Sequence, residues 1–495
     1  MVPQIATAVC ALGIAGLFVF DHDPRRRISK ALWLPIVWLF IGGSRNVGEW
    51  LHFGGSVDPN DRYLEGNPLD RTVLTAILVL GLVVLIGKRQ QIGTLLRANV
   101  PIVLYFVYCG ISIFWSDYPY VAFKRWNRGL GDLVMVLIIL SDRDWLSALP
   151  RVLARTGFLL VPLSVLFVRY FPELGRSFSR YEGRTFFTGV STDKNGLGMV
   201  CLIFGLSSLW CFLSAYQGQK KAQRRRRLVA HGVILAMVVW LSIKADSATS
   251  VACLLLAGGL MVVTSLRALA GKTALVHAFV VAAVAFTLYA VFLDTGGSLV
   301  GTLGRDPTLT GRTAVWKLVT NYASSPLFGT GFESFWLGER LDNILSIIPG
   351  LNEAHNGYLE IYLNLGWVGV ALLALLTVVG YRNVVHTLRR DPEIGRLRLA
   401  YFAVGMVYNL TEAGFKMMSP IWITFLLSTM AVPIRKQVGK LRPSGERNPV
   451  GNKLDNNRGA TPIIEGAGSG RQIDFPTEGL PVASAERYEI REEVW

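Results

Sequence analysis

The sequence predicts an all-α polytopic membrane protein with twelve or thirteen transmembrane helices. Three observations carry this. The 495 residues are 52% hydrophobic and only 17% charged, against roughly 25% charged in an ordinary soluble domain. Apolar residues gather into repeated runs of roughly 17 to 24, and about 20 helical residues at 1.5 Å each span the roughly 30 Å hydrocarbon core. The loops between these runs alternate between basic-rich and basic-poor. Helices and closed barrels alone satisfy their backbone inside lipid, and runs this long select helices.

The runs fall near 2–20, 31–43, 72–87, 99–115, 126–141, 152–170, 195–216, 228–244, 248–266, 274–293, 357–381, 398–412 and 419–434. Val2 to Phe20 resembles a signal peptide only superficially. Its basic cluster, Arg25 to Arg27, follows the apolar run and no small-residue cleavage site comes after it, so it reads as a first membrane helix. One set of loops holds Arg25–Arg27 and Lys30, then Lys88, Arg89 and Arg97, then Arg143 and Arg151. The set continues with Lys220, Lys221 and Arg224–Arg227, then Arg267 and Lys272, then Arg382, Arg389, Arg390, Arg396 and Arg398. The positive-inside rule makes that side cytoplasmic. The formal net charge of +16 is therefore a topology signal and not a nucleic-acid surface.

Residues 1–436 form the membrane domain. From Lys440 onward Gly, Pro, Asn, Arg and Glu dominate, and 437–495 is expected to be a disordered cytoplasmic tail. The outward loops are then 44–71, 116–125, 171–194, a turn near Lys244–Ser247, and the long 294–356 segment. Two of them break the charge bias, with Arg176, Arg180, Arg184 and Lys194 in one and Arg305, Arg312, Lys317 and Arg340 in the other. The five cysteines all lie within apolar segments, as small buried hydrophobes do, and not at disulfide or metal-ligand spacings.

Of six histidines, His22 and His386 fall in inward loops, and His231 and His277 at the starts of apolar runs. His52 stands in an outward loop without recognisable company. His355 differs: in NEAHNGYLE it marks the junction of the largest outward loop with a membrane helix, where it can exchange a proton near neutral pH. Arg312 follows Gly311 in TLTGRTAVWKLVTNY. Thr310 or Thr313 can cap a helix beginning near Ala314, and a helix start beside a guanidinium is a phosphate or diphosphate site. The stretch YEGRTFFTGVSTDKNG clusters Arg184, Lys194 and Asn195 just before a span, the usual place of substrate or headgroup contacts. No histidine pair at metal spacing, EF-hand loop, Gly-x-Ser-x-Gly or P-loop is present in the sequence.

His355, Asn356, nine residues, Gly366, two residues and Gly369 reproduce the HN-x9-G-x-x-G motif of the O-antigen ligase and Wzy-type polymerase superfamily. The sequence resembles that group also in TGRTAVW, GFESFW, FTGVSTDKNGLG and WSDYPYVAFKR, over roughly residues 100 to 430. Its DKNG and TGRT wording is most similar to exopolysaccharide-production polymerases. The resemblance implies a bacterial inner-membrane glycosyltransferase of GT-C-like fold, with a periplasmic active site and no cofactor or metal. Such enzymes move a glycan from a polyprenyl diphosphate carrier to an acceptor sugar hydroxyl, some of them alongside other export components. His355 matches the family's essential histidine and Arg312 its essential arginine; Arg184 or Lys194 matches the second basic position.

Around these residues, Glu353 either orients His355 or is a solvated loop acid, and Asn356 supports the motif. Glu360 and Tyr362 read as packing or acceptor contacts, and Glu412 as an acceptor-site candidate. A polymerase and a ligase acting on lipid A core or protein share donor, site and fold. A transporter of lipid-linked sugars would instead carry charges or broken helices deep in its spans.

Overall fold

In the computed structural model, residues 2–22, 29–51, 66–179, 183–218, 221–265, 278 and 309–433 are described. The expected span at 274–293, His52, His277, residues 294–308 and the tail lie outside them; the described residues fall within the unit Met1–Arg435. Each apolar run on described residues contains a helix, and the chain is an all-α polytopic membrane protein. Among the described residues seven helices are long and apolar enough to cross a membrane, or eight if a pair bent by 94° is one span. That pair is Arg89–Arg97 with Val100–Trp115. Its first member carries Ile92, Leu95 and Leu96 among Arg89, Gln90, Gln91 and Arg97, an amphipathic pattern suited to the membrane surface.

Contacts sort the loops into the two groups that the basic alternation predicts. In the basic-rich group, Asp21 pairs with Arg227 at 2.9 Å, the Lys88 ammonium donates to the Ser141 carbonyl at 3.2 Å, and Trp210 donates to the Glu393 carbonyl at 2.7 Å. In the other group, Arg340 pairs with Asp117 at 2.8 Å, Ser116 meets Ser334 at 2.8 Å, and Thr249 meets Thr411 at 3.0 Å. Within the outward loop 171–194, strands β1 (Arg176–Ser179) and β2 (Arg184–Phe187) pair antiparallel.

Two departures from the expected spans shape the site. Helix Pro420–Thr429 has only 10 residues, about 15 Å of a roughly 30 Å core. The non-helical segment 409–419 precedes that helix, with backbone amides satisfied inside the protein, as such backbone among membrane helices must be. Asn409 Oδ1 accepts from the Gly414 and Phe415 amides, both at 2.8 Å, and buried Asp132 accepts from the Met418 amide at 2.8 Å and from Trp38 at 2.7 Å. Arg398, counted above as a topology charge, is buried instead. It donates to the Ser428 carbonyl at 2.9 Å, to Thr387 at 2.8 Å and to the Met430 carbonyl, closing the C-terminal end of the same short helix.

The second departure is a break in helix Gly357–Arg390 at Gly366, where φ is 64° and ψ is −165°. The carbonyls of Leu363 and Asn364 accept from the Thr330 and Gly331 amides at 3.1 and 2.8 Å, and the Trp367 amide donates to the Pro326 carbonyl at 2.9 Å. The loop thus threads into the gap, and a Cβ at Gly366 would lie 2.2 Å from the Leu327 carbonyl oxygen. This is the physical content of the motif glycine: a backbone region open essentially to glycine, against another chain segment. Gly366→Ala is expected to destabilise by at least about 1–3 kcal/mol, read as loss of the monodisperse chromatographic peak at a lower heating temperature. Gly259→Ala, in open space on helix Ala248–Ser265, serves as the control and should leave that temperature unchanged.

Candidate active site

Glu412 is 4% exposed and sits in the segment 409–419. Three distant parts of the chain converge on its carboxylate. Arg312 Nη2 donates to Oε1 at 3.2 Å, Asn195 Nδ2 donates to Oε2 at 3.3 Å, and His355 Nδ1 lies 3.5 Å from Oε2. A buried carboxylate costs several kcal/mol unless charged or hydrogen-bonding partners surround it, so Glu412 holds the three segments together.

His355 is placed by its neighbours on both sides. Asn356 N-caps helix Gly357–Arg390, its side chain accepting from the Tyr358 and Leu359 amides, both at 3.0 Å. Its amide group also donates to the Leu410 carbonyl at 3.4 Å. The Gly357 amide donates to the carbonyls of Asn409 and Glu412 at 2.9 and 3.1 Å. A Cβ at Gly357 would lie 1.9 Å from Asn409 Oδ1, so only glycine admits this approach. His355 itself is held at φ 50°, the left-handed region that costs a non-glycine residue roughly 1–3 kcal/mol and clusters at functional sites.

On the other side Glu360, from the first turn of that helix, accepts from the Ala354 amide at 2.6 Å and from Trp336 at 2.9 Å. Trp316 donates to the Ala354 carbonyl at 2.9 Å, pinning the helix of Arg312 to the loop of His355. That helix runs Leu309–Asn321 and does not begin near Ala314. Arg312 therefore lies within its first turn, and Thr310 and Thr313 lie inside the helix rather than before it.

Glu353 faces the imidazole. Its Oε1 lies 3.1 Å from His355 Nδ1, and its Oε2 accepts from Lys416 Nζ at 2.9 Å. His355 Nδ1 makes no well-aligned hydrogen bond, so these short contacts act through charge more than through bond direction. Glu353 and then Glu412 stabilise the imidazolium against partial burial, raising His355 to about 9. Burial by itself would raise Glu353; Lys416 and His355 override it and hold the carboxyl down to about 2. The expectation of a histidine titrating near neutrality is thereby corrected: two carboxylates keep it charged well above pH 7.

Glu353, His355 and Glu412 offer ligand atoms within 4.8 Å of one another, a set that could hold a metal ion. Both carboxylates already carry cationic partners, Lys416 on Glu353 and Arg312 on Glu412. A metal would have to displace them, so the donor set fits an ion-pair network better than a metal centre.

Of the sequence-predicted residues, the structure brings His355, Arg312, Asn356, Glu353 and Glu412 together. Lys194 starts helix Lys194–Gly218 beside Asn195, with Nζ 4.2 Å from the Phe186 ring centroid. Arg184 is exposed on β2 and makes no ion pair or hydrogen bond among the described residues. Of the three residues named together in that stretch, Asn195 is the one hydrogen-bonded to Glu412. Lys416 went unnoticed, since one lysine in NLTEAGFKMMSP carries no spacing signal. His231 is buried and faces Asp21 at 3.4 Å in the basic-rich group of loops, away from these residues.

Residues 243–374 match the family model described as O-antigen ligase. The matched segment contains Arg312, Glu353, His355, Asn356, Gly366 and Gly369 and stops before Glu412. The chain is also 26% identical over 379 residues to the exopolysaccharide production protein ExoQ of Rhizobium meliloti (strain 1021), covering 72% of this chain and 82% of the relative. The chain is thus similar to the O-antigen ligase family over residues 243–374 and to an exopolysaccharide production protein over most of its length.

Proposed function

We propose that this protein is a bacterial inner-membrane glycosyltransferase that polymerises lipid-linked repeat units of an exopolysaccharide or O-antigen. The observation that carries this reading is the convergence of Arg312, Asn195 and His355 on buried Glu412. It sets a guanidinium and an imidazole side by side where the helices give way to loops, with a third of the His355 side chain exposed (35%). In the reaction an acceptor hydroxyl oxygen attacks the anomeric carbon of the glycan. The bond from that carbon to the diphosphate breaks, and polyprenyl diphosphate leaves with the electron pair. Arg312, with Lys194 or Arg184, neutralises the charge developing on the leaving group. His355 takes the hydroxyl proton on Nε2, with Nδ1 turned to the carboxylates.

The arginines supply the charge a metal would otherwise bring, so the chemistry proceeds without one. The catalytic loop of about 294–356 faces the periplasm in this reading, and residues 437–495 form a cytoplasmic tail. The family match keeps a second reading in view, in which the same donor site serves a ligase acting on lipid A core or on protein. The exopolysaccharide relative favours the polymerase.

His355→Ala is expected to lower transfer about 10²–10⁴-fold, and Arg312→Ala about 10²–10³-fold. In cells producing each variant at normal membrane levels, long polymer should disappear and lipid-linked single units accumulate. Long polymer held on the carrier would mark a ligase, and unchanged glycans would refute the assignment.

A base must first be neutral, and His355 is an imidazolium below about pH 9. Transfer should therefore rise about tenfold per pH unit below that value and level off near it. Glu353→Gln removes a negative charge that favours the imidazolium, so the His355 pKa falls and the rising limb shifts to lower pH. A profile flat to about 9 and falling above it would make His355 a fixed cation facing the leaving diphosphate.

A further inference from the structure

Glu412 serves two cations through one carboxylate. Its Oε1 accepts from Arg312 Nη2 at 3.2 Å, and its Oε2 lies 3.5 Å from His355 Nδ1. Among the described residues the guanidinium holds Glu412 through Nη2 alone. The distance exceeds the roughly 2.7–2.9 Å of a strong charged pair. The Arg312 side chain is 24% exposed, against 6% for that of Glu412. The contact is single, long and open on the arginine side.

The two partners also belong to different packing units. Glu412 sits in the segment 409–419, whose Phe415 and Met418 are part of the main core and whose backbone is fixed by Asn409 and Asp132. Helix Leu309–Asn321 instead gives Val315, Leu318 and Val319 to a separate outward core with Phe335, Trp336 and Ile344. A small displacement of Arg312 can therefore change its partner without unpacking either core. A substituted diphosphate carries two charges and paired oxygens that match the guanidinium fork, where Glu412 offers one oxygen.

Resting on the glycosyl-transfer reading of this cluster, we propose that Glu412 is a positioning residue that couples donor binding to the proton on His355. The donor diphosphate draws Arg312 away, and the carboxylate, no longer shared with a guanidinium, turns its full charge on the imidazole. His355 then holds a proton more tightly while the diphosphate is bound. Once the diphosphate leaves and Arg312 returns to Glu412, the imidazole yields that proton to water and is a base again.

The charged groups around His355 are few. Glu353 faces it from its own loop with Lys416 behind, and Glu412 from the segment 409–419 with Arg312 behind. Asn195, at the start of helix Lys194–Gly218, does not ionise, and Lys194 beside it rests on the Phe186 ring. Asp193 and Glu333 act on Lys416 from farther away. Of these groups only Arg312 changes partner.

The test is the proton balance of binding, with full-length protein in nanodiscs. The probe is the geranylgeranyl methyl diester of methylenebisphosphonate, a diphosphate mimic that cannot be cleaved and does not titrate in the alkaline range. Calorimetry in two buffers of different ionisation enthalpy gives the protons taken up per ligand bound. Free His355 titrates at about 9. A tenfold gain in basicity gives an uptake of about half a proton at about half a pH unit above that value. The uptake should vanish in His355→Gln and fall by at least about half in Glu412→Gln. Arg312→Gln, whose Glu412 is unshared from the start, should bind more weakly and show the same fall per ligand bound. It decides the matter if Glu412→Gln folds poorly. Undiminished uptake in these two variants would mean that the diphosphate acts on the imidazole directly, and would overturn the exchange. Saturable binding to the wild type without uptake would overturn it too, and leave glycosyl transfer standing. No binding by the wild type, or equally tight binding by Arg312→Gln, would instead sink the reading of Arg312 as the diphosphate's partner.

Discussion

One buried carboxylate organises this molecule's functional end. Glu412 stands in the non-helical segment between helices Pro392–Tyr408 and Pro420–Thr429, and it is almost wholly withdrawn from water. A charge in that position is tolerable only if other parts of the chain bring it partners. The Arg312 helix, the first turn of the Asn195 helix and the His355 loop do so from three directions. Remove the carboxylate and each of the three loses its anchor to the others. Arg312 is paired through this charge, and Glu412 adds to the larger effect of Glu353 in raising the basicity of His355.

The scaffold is built to make that arrangement possible. Helix Pro420–Thr429 is too short to cross a membrane alone, and the non-helical segment 409–419 leads into it. Asn409, Asp132 and Gly357 then satisfy or admit its backbone. At Gly366 the helix behind His355 breaks, and the loop 326–331 bonds into the gap. Both irregularities place non-helical backbone among membrane helices, where every free amide and carbonyl needs a protein partner. They are the positions at which a regular bundle is given up for a site.

Much of this was legible beforehand. Helices could be read because twenty apolar residues in a row have one solution in lipid, and loop charge sorted their ends. His355, Arg312 and Gly366 could be read because they stand in motifs. The state of His355 could not, since a titration depends on charges within a few ångströms, and Glu412 lies more than fifty residues away along the chain. Nor could Lys416, which matters only because Glu353 happens to face it. Arg398 looked like a topology charge because a sequence shows basicity but not burial.

The sequence by itself determined the class of the protein, the direction in which its loops alternate and the short motifs that mark its loops, because each is a local or periodic property. The tertiary structure decided which residues act together. Only folding could show that Asn195, Arg312, His355 and Glu412 meet, and that Arg184 stays exposed on strand β2. The physical reason is that Coulomb interaction and hydrogen bonding fall off over distances far shorter than the chain separations that folding brings together.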